Sequence, residues 1–432
     1  MRACQKCLIF ILILIFYVSC GGGGGDSSSP SNPQPPVEPP EKQWKSEQLN
    51  SIRSSGLIET NIRSVIDSND LFHIVYFSSA ESNEYSIYHQ MWDSRTFQVA
   101  GKKTSVIKLD NCRDLATGVT IDNIPIILYQ GGNPPTCGDT EQSDIMIAMF
   151  TDNQWKEYTV SIGEVERNPI VNDGVAGGSF DMIVDNQNRV HICFQFFYEG
   201  CDTMNVKYPD LWYVLLSPDT PDQIPDAVTV EGNNYNNANI QNKVGENCSI
   251  ALDQAGDPMI FYQAELPDNE KGLRVAYWNN ANWETEWIET DIETGHISAA
   301  WNDKDKIMGV AYYVTDNDSY GELDHCLKYA EKINDQWQTI IIDESSFCGN
   351  YCSLTYDNDG NPLIAYHAEK TRSGYDLNAL KLSRKIDDLW TIETISQLYD
   401  IGNYNTIHVD YNNKVYISSF SKDKECVYIF YQ

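Results

Sequence analysis

Basic residues are scarce in this chain: 30 Lys and Arg stand against 62 Asp and Glu among 432 residues, a formal net charge of −32. Phosphate backbones are bound by clustered Lys and Arg, so this charge excludes a nucleic-acid partner and disfavours an anionic membrane surface. Long runs of Ala, Leu, Glu and Lys are also missing, whereas 14 Phe, 10 Trp and 26 Tyr are present. That composition disfavours an all-helical protein and excludes a mostly disordered one.

No apolar run is long enough to span a membrane, which takes about twenty residues. The run Leu8–Val18 has eleven residues and follows the positive charges of Arg2 and Lys6. This arrangement predicts a secretory signal peptide over residues 1–19. Its removal takes away those two charges and brings the net charge from −32 to −34.

The signal ends at Ser19 and Cys20 follows it, and this pair resembles a bacterial lipobox. The resemblance implies that Cys20 is lipidated and that the lipid is the membrane contact of a cell-envelope protein. The residue after that cysteine is Gly21 rather than Asp, which resembles the sequence of lipoproteins in the outer membrane. Residues 20–42 are rich in Gly, Ser and Pro and predict a tether, with the folded domain over 43–432. An ordinary cleaved signal followed by a free linker is the alternative.

Cysteine pairs at zinc-finger spacing are absent after the signal, and nine cysteines follow Cys20. In an oxidising compartment such cysteines predict disulfides, with one thiol left over because nine is odd. We expect loops on one face to bring these residues together, and Cys193, inside an apolar strand, to be a buried thiol. The expected pairs are Cys112 with Cys137, Cys201 with Cys248, and Cys326 with Cys352 or Cys348.

An internal repeat decides the fold. Each unit has an Asp, a polar turn, an apolar run and an aromatic residue, as in YDNDGNPLIAY at 356–366. The anchors are Asp67, Asp122, Asp185, Asp253, Asp303, Asp357 and Asp410. Seven units of 50 to 68 residues predict an all-β, seven-bladed β-propeller.

Each unit predicts four strands, here named A to D. Strand A ends at the Asp, a tight turn leads into strand B, and strand C follows a longer loop. A Trp often opens strand D, and its recurrence at one structural position predicts packing between blades. These residues are Trp155, Trp283, Trp337 and Trp390, with Phe97 in the first unit. The third unit lacks this Trp and carries the insertion PDTPDQIPD.

The chain ends predict how the ring closes. The last unit stops after strand C, at CVYIFYQ, whereas QWKSEQLN at residues 43–50 matches the strand-D pattern. We therefore expect the N-terminal strand to complete the seventh blade, which leaves no open edge in the ring.

The repeat resembles the sialidase-like superfamily of seven-bladed propellers, which is related to the Asp-box proteins. No segment of this chain fits the Asp-box form Ser-x-Asp-x-Gly-x-x-Trp. Sialidase-type catalysis would require an arginine cluster, a Tyr–Glu pair and an acidic Asp. Arg63 on a strand A, with Arg113, Arg167 and Arg372 in long loops, could face the channel, but these residues share no repeat position.

A ring of polar residues follows the strand-B aromatic in four units: Gln130, Gln195, Gln263 and His367. Amide groups beside aromatic rings suit hydroxyl-rich ligands, so we predict a binding site on the loop-rich face, with Arg113 and Arg372 among its contacts. The alternative is that these side chains hydrogen-bond loop backbones. His73 and His191 recur inside strand B, which predicts packing residues.

One loop resembles a calcium site. Residues 316–324 read DNDSYGELD, so Asp316, Asp318 and Asp324 alternate as cation ligands do. Tyr320 stands where the calcium-loop pattern has a third Asp. The alternative to a calcium site is a chance match of spacing in a chain this rich in acidic residues. No other cofactor is expected.

Two function classes compete. One is a non-catalytic envelope protein that binds a neutral glycan or an extracytoplasmic protein on its loop-rich face. The other is an extracytoplasmic glycan-degrading enzyme, either a glycoside hydrolase or a polysaccharide lyase. No signature nucleophile or metal-hydrolase motif is found, which favours the binder; clustered Arg or paired carboxylates in the channel mouth would favour the enzyme.

Overall fold

A computed structural model of the chain describes most of residues 43–432. The described ranges are 43–51, 61–79, 85–109, 114–131, 144–160, 174–198, 209–221, 223, 227–232, 242–268, 270–317, 323–345, 347–369, 378–398 and 400–432. They form seven four-stranded antiparallel sheets, which are the blades of a β-propeller. The predicted signal, tether and lipidated Cys20 lie outside the described residues. No helix within these ranges is long and apolar enough to cross a membrane.

Six blades use consecutive strands in the order A to D. The N-terminal strand is β1 (Lys45–Ser51). Blades 1 and 2 are β2 (Ile62–Ile66), β3 (Leu71–Ser79), β4 (Tyr85–Asp93), β5 (Gln98–Lys108), then β6 (Leu115–Val119), β7 (Pro125–Gly131), β8 (Asp144–Thr151) and β9 (Gln154–Thr159). Blades 3 and 4 are β10 (Gly174–Val184), β11 (Val190–Tyr198), β12 (Pro209–Leu216), β13 (Val228–Glu231), then β14 (Lys243–Leu252), β15 (Pro258–Glu265), β16 (Lys271–Trp278) and β17 (Trp283–Thr290). Blades 5 and 6 are β18 (Glu293–Asn302), β19 (Ile307–Asn317), β20 (Leu323–Ile333), β21 (Gln336–Asp343), then β22 (Cys348–Tyr356), β23 (Pro362–Ala368), β24 (Ala379–Ile386) and β25 (Leu389–Ser396).

The seventh blade joins the two ends of the described chain, as predicted. Its strands are β26 (Ile401–Val409), β27 (Val415–Ser421) and β28 (Cys426–Tyr431), and β1 pairs antiparallel with β28 as its strand D. Leu49 of β1 is buried in an apolar cluster with residues of blades 1 and 7. The closure therefore combines a hydrogen-bonded edge with a hydrophobic anchor.

The repeated Asp fixes the A–B turn. In five blades its Oδ1 accepts the backbone N–H groups two and four residues later, at 2.7 to 2.9 Å. This pairing holds the tight turn that follows strand A. In blades 2 and 5 the anchors Asp122 and Asp303 are wrong. Thr120 accepts the N–H of Ile124, and Asn302 accepts that of Lys304, because a hydroxyl or an amide oxygen serves as well as a carboxylate.

The aromatic residue that opens strand D packs on the preceding blade, as predicted. Ring centroids are 5.2 Å apart for Trp155 and His89, 5.7 Å for Trp337 and Phe261, and 5.2 Å for Trp390 and Tyr329. In the first blade Phe97 stacks on Tyr431 of the seventh, at 4.7 Å. His73 and His191 are buried against the anchor Asp of their own blades, so they are packing residues.

The described cysteines are not joined as predicted. Cys348 and Cys352 are both thiols, so neither is bonded to Cys326. Their Sγ atoms are held by backbone carbonyls instead, Cys348 by Asp343 at 2.9 Å and Cys352 by His296 at 3.3 Å. Cys193 is a buried thiol, which confirms that prediction. Cys248 is a buried thiol beside it, so the predicted bond from Cys248 to Cys201 is wrong. Cys112, Cys137 and Cys201 lie outside the described residues.

Candidate functional site

A polar cavity of about 360 Å³ lies in the central channel. All seven innermost strands contribute to its wall, each through residues in or just before strand A. In blades 3 to 7 the contributing residues lie near the middle of these strands, in or next to the register shifts of the A–B pairing. The cavity therefore lies part-way along the central channel, and a ligand site on the loop-rich face stays a prediction.

Bulges in strand A turn side chains into this cavity. The A–B pairing shifts register around Asn247, Tyr351 and Tyr404, and these three residues have φ of 52°, 51° and 52°. A left-handed backbone is uncommon for Tyr, and a bulge re-aims a side chain that would otherwise follow the regular alternation of the strand. In blade 5 the register shifts at the same place and presents His296.

The positive charge of the cavity is that of Arg63, which donates hydrogen bonds to neighbouring side chains. Arg63 Nη1 donates to Asn61 Oδ1 at 2.8 Å, and Arg63 Nη2 donates to Asp114 Oδ1 at 3.3 Å. Asn61 also donates to Asp114. Burial raises the pKa of Asp114, although the Arg63 charge opposes that shift. The charge of Arg63 is therefore largely balanced before any ligand arrives.

A second carboxylate in the cavity wall joins two blades. Asp181 Oδ2 accepts the Ser249 hydroxyl at 3.1 Å and the Ile250 N–H at 3.0 Å. Burial raises the pKa of Asp181, and these hydrogen bonds act against that rise. Because Oδ2 already serves blade 4 and Oδ1 accepts the Met182 N–H at 2.9 Å, Asp181 is a structural link with little capacity left for a ligand.

Three aromatic rings line one side of the cavity. The Tyr351 ring lies 4.4 Å from that of His296 and 4.5 Å from that of Tyr404. Burial lowers the pKa of His296 to about 4, and the charge of Arg63 acts in the same direction. His296 is therefore neutral at pH 7 and offers both a donor and an acceptor. Tyrosine rings beside amide and hydroxyl groups present the surface that sugars require.

The ring of polar residues predicted from the repeat lies behind this wall, between blades. Gln195 Nε2 donates to the Val244 carbonyl at 3.2 Å, and Gln263 Oε1 accepts the Thr294 N–H at 2.8 Å. Gln130 is buried on β7, and the His367 ring lies 6.2 Å from that of Tyr351. Gln195 and Gln263 thus tie strand B to strand A of the next blade. Ligand contact by the four side chains stays a prediction.

Of the arginines considered for the channel, Arg63 is in the cavity. Arg113, Arg167 and Arg372 lie outside the described residues. So does Asp318 of the predicted calcium loop, and of Asp316 and Asp324 the structure describes only the backbone, which pairs them across β19 and β20. The calcium site stays a prediction.

Solved structures share this fold. Polysaccharide lyase Uly1 superimposes with a TM-score of 0.55 at 7% identity, covering 88% of this chain and 90% of that one. A PL25 ulvan lyase bound to -[GlcA(1-4)Rha3S]- gives 0.54 at 9% identity, over 88% and 95%. A Hadza microbial sialidase, Hz136, gives 0.48 at 11% identity, over 80% and 72%. Neither a protein-family model nor a curated protein sequence matches the chain. At these identities the similarity shows the β-propeller fold alone and establishes nothing about the substrate.

Proposed function

We propose that this propeller is a non-catalytic glycan-binding protein that holds a neutral glycan in its central cavity. The observation that carries the proposal is the convergence of Tyr351, Tyr404 and polar side chains on one cavity, through bulges repeated in several blades. A backbone strained at several equivalent positions points to function, because a regular strand would not require it. The solved lyases with this fold are similar in architecture and add a glycan context.

The charge of the site favours a neutral ligand. Among the described residues that line the cavity, Arg63 is the one with a permanent positive charge, and it is paired with Asp114. The chain as a whole carries −32, so an anionic glycan would meet a repulsive field. Hydroxyl groups of a neutral sugar need only the amide, hydroxyl and imidazole groups that are present.

Replacing Tyr351 and Tyr404 together with Ala should weaken glycan binding roughly five- to a hundredfold, since each ring contact is worth about 0.5–1.5 kcal/mol. The measurement is calorimetric titration of the purified protein with a panel of neutral oligosaccharides. Tyr411→Ala is the matched control, because Tyr411 is 75% exposed in the A–B turn of blade 7, beyond the end of strand A.

Unchanged affinity in the double variant would contradict the cavity as the site. A further variant, Gln195→Ala with Gln263→Ala, separates the two locations. If these glutamines only tie neighbouring blades together, this variant lowers the melting temperature and leaves affinity unchanged. Loss of affinity there, with full binding in the tyrosine variant, would place the ligand on the polar ring instead.

A polysaccharide lyase is the second candidate, favoured by the grouping of Arg63, His296 and Tyr351. In a β-elimination, a base removes the proton beside a uronate carboxylate, a C=C bond forms, and the glycosidic C–O bond breaks as its oxygen takes a proton. Neutral His296 could accept the first proton, Tyr351 could donate the second, and Arg63 could neutralise the carboxylate. Ultraviolet absorbance of unsaturated products from acidic polysaccharides, abolished by His296→Ala, would replace the binder with this enzyme.

For location, lipidation at Cys20 and attachment to the outer membrane are our proposal. The support is the Leu8–Val18 run followed by Ser19 and Cys20. Cys20→Ala should remove the acyl mass in intact-mass analysis and release the protein from the membrane fraction. A membrane fraction unchanged by that substitution would refute the anchor.

A further inference from the structure

A second cavity, of about 380 Å³, lies between blades 3 and 4, away from the central channel. Its wall is more apolar than that of the central cavity and includes Tyr213, Val228, Trp278 and Trp283, with Arg189 and Asp257 as polar groups. The Trp283 ring lies 5.2 Å from that of Tyr213 and 5.6 Å from that of Trp278, edge to face in both pairs.

Strand D of blade 3, which contributes Val228 to this cavity, is short. β13 has four residues, whereas β17, its counterpart in blade 4, has eight. The insertion PDTPDQIPD occupies this part of the sequence. Val228, the first residue of β13, pairs with Tyr213, and the counterpart pair in blade 4 is Glu286 with Val275. The described strand D of blade 3 thus begins three positions later than that of blade 4, where Trp283–Thr285 precede the equivalent residue.

The identity of Val228 also removes a hydrogen-bond acceptor from strand D of blade 3. Trp155 Nε1 donates to Thr104 at 3.4 Å, and Trp337 Nε1 donates to Glu286 at 2.8 Å, each on strand D of the preceding blade. Sheet register puts Thr104, Glu286 and Val228 at the same position. The side chain of Val228 has no hydrogen-bond acceptor. Trp283 Nε1 is buried without a hydrogen-bond partner in the described structure. Trp155 and Trp337 are paired at this position, so the unpaired indole N–H of Trp283 leaves a donor that a ligand can use.

We propose that this cavity is a second glycan site that takes one pyranose unit. The C–H faces of a sugar ring pack against aromatic side chains, and a ring or hydroxyl oxygen would accept from Trp283 Nε1. The remaining hydroxyls would form hydrogen bonds with Asp257 and Arg189. The Arg189 side chain is 38% exposed, and its Nε donates to Asp185 Oδ2 at 2.6 Å. The site is independent of the proposed function of the central cavity.

The test restores the missing acceptor. Val228→Glu places a carboxylate where Glu286 stands in blade 4, so it should satisfy Trp283, fill the cavity and keep or raise the melting temperature. Saturation-transfer NMR of the full chain with methyl glycosides of glucose, galactose and N-acetylglucosamine measures binding. We expect at least about tenfold weaker binding in this variant, from one lost hydrogen bond and the lost ring contacts.

Val99→Glu is the matched control, because Val99 is 44% exposed on a strand D and Val228 is 43% exposed. It should leave binding unchanged. The variant with Ala at positions 351 and 404 should also retain this binding, which separates the site from the central cavity. Absence of saturable binding for all three glycosides, or full binding by Val228→Glu, would overturn the proposal.

Discussion

Deletion of residues 43–51 is expected to lower the melting temperature by roughly 5–10 °C, since it removes the outer strand of the seventh blade. β1 pairs with β28 from Lys45 and Tyr431 to Ser51 and Cys426. The deletion also removes Leu49, which is 3% exposed, and Trp44, which packs against the cluster between blades 6 and 7. Truncating buried side chains of these sizes costs about 2–5 kcal/mol each, and the loss exposes the edge of β28 to aggregation.

The control removes nine residues, 33–41, from the segment predicted as a tether, and should leave the melting temperature unchanged. Adding a synthetic peptide of residues 43–51 to the shortened protein should restore part of the lost stability. The same peptide with Leu49→Asp should not, because the charge would enter an apolar cluster. A melting temperature that survives the deletion would show that the ring does not depend on this strand.

Much of this architecture was predictable, because the repeat is enforced by local chemistry. The Asp of each A–B turn accepts two backbone N–H groups, and that requirement fixes residue type and spacing. Where another side chain can accept these N–H groups, a repeat defined by Asp assigns the wrong anchor residue. Thr120 and Asn302 anchor the turns of blades 2 and 5. Asp122 and Asp303 lie one or two residues away and match the repeat by residue type alone. The blade count was unaffected, since a shift of one or two residues does not change the number of units.

The central site was less predictable than the fold. Arg63 was placed in the channel because it lies on a strand A, where position alone decides orientation. Tyr351 and Tyr404 were missed because their orientation depends on a left-handed backbone, which glycine would have signalled and tyrosine does not. The glutamines recur at one repeat position, and in Gln195 and Gln263 that recurrence reflects a contact repeated between successive blades. Recurrence in a repeat protein therefore marks packing more readily than function.

Cysteine pairing failed for a related reason. Loop positions predict Cys326 beside Cys348 and Cys352, whereas Cys348 and Cys352 belong to β22, the innermost strand of blade 6. Their thiols point at backbone carbonyls of blade 5, and burial raises the pKa of each to about 12. Such thiols are protonated and poorly reactive.

Replacement of Asp343 with Ala is expected to destabilise the protein by about 3–5 kcal/mol at pH 7, because it breaks a buried charge cluster between blades 5 and 6. Asp343 Oδ2 accepts the Tyr366 hydroxyl at 2.7 Å and the Lys381 ammonium at 2.9 Å, and its side chain is 5% exposed. Without it, the Tyr366 hydroxyl and the Lys381 charge remain buried with no carboxylate to receive them.

The same cluster makes the effect of Asp343 depend on pH. Burial acts to raise the pKa of Asp343, but hydrogen bonds from Ser345, Lys381 and Tyr366 outweigh it and lower the pKa to about 2. A carboxyl whose pKa is lower in the folded state than in the unfolded chain stabilises the fold above the unfolded value, near pH 4, and loses this contribution as the pH falls toward 2. Urea unfolding at pH 6 and pH 3 should therefore show a smaller difference between Asp343→Ala and the parent protein at pH 3. Asp303→Ala is the matched control, since the Asp303 side chain is 89% exposed in its pair with Lys306 and should leave stability unchanged. An equal difference at both pH values would show that Asp343 acts through packing alone, because a lost ion pair must follow the protonation of its carboxylate.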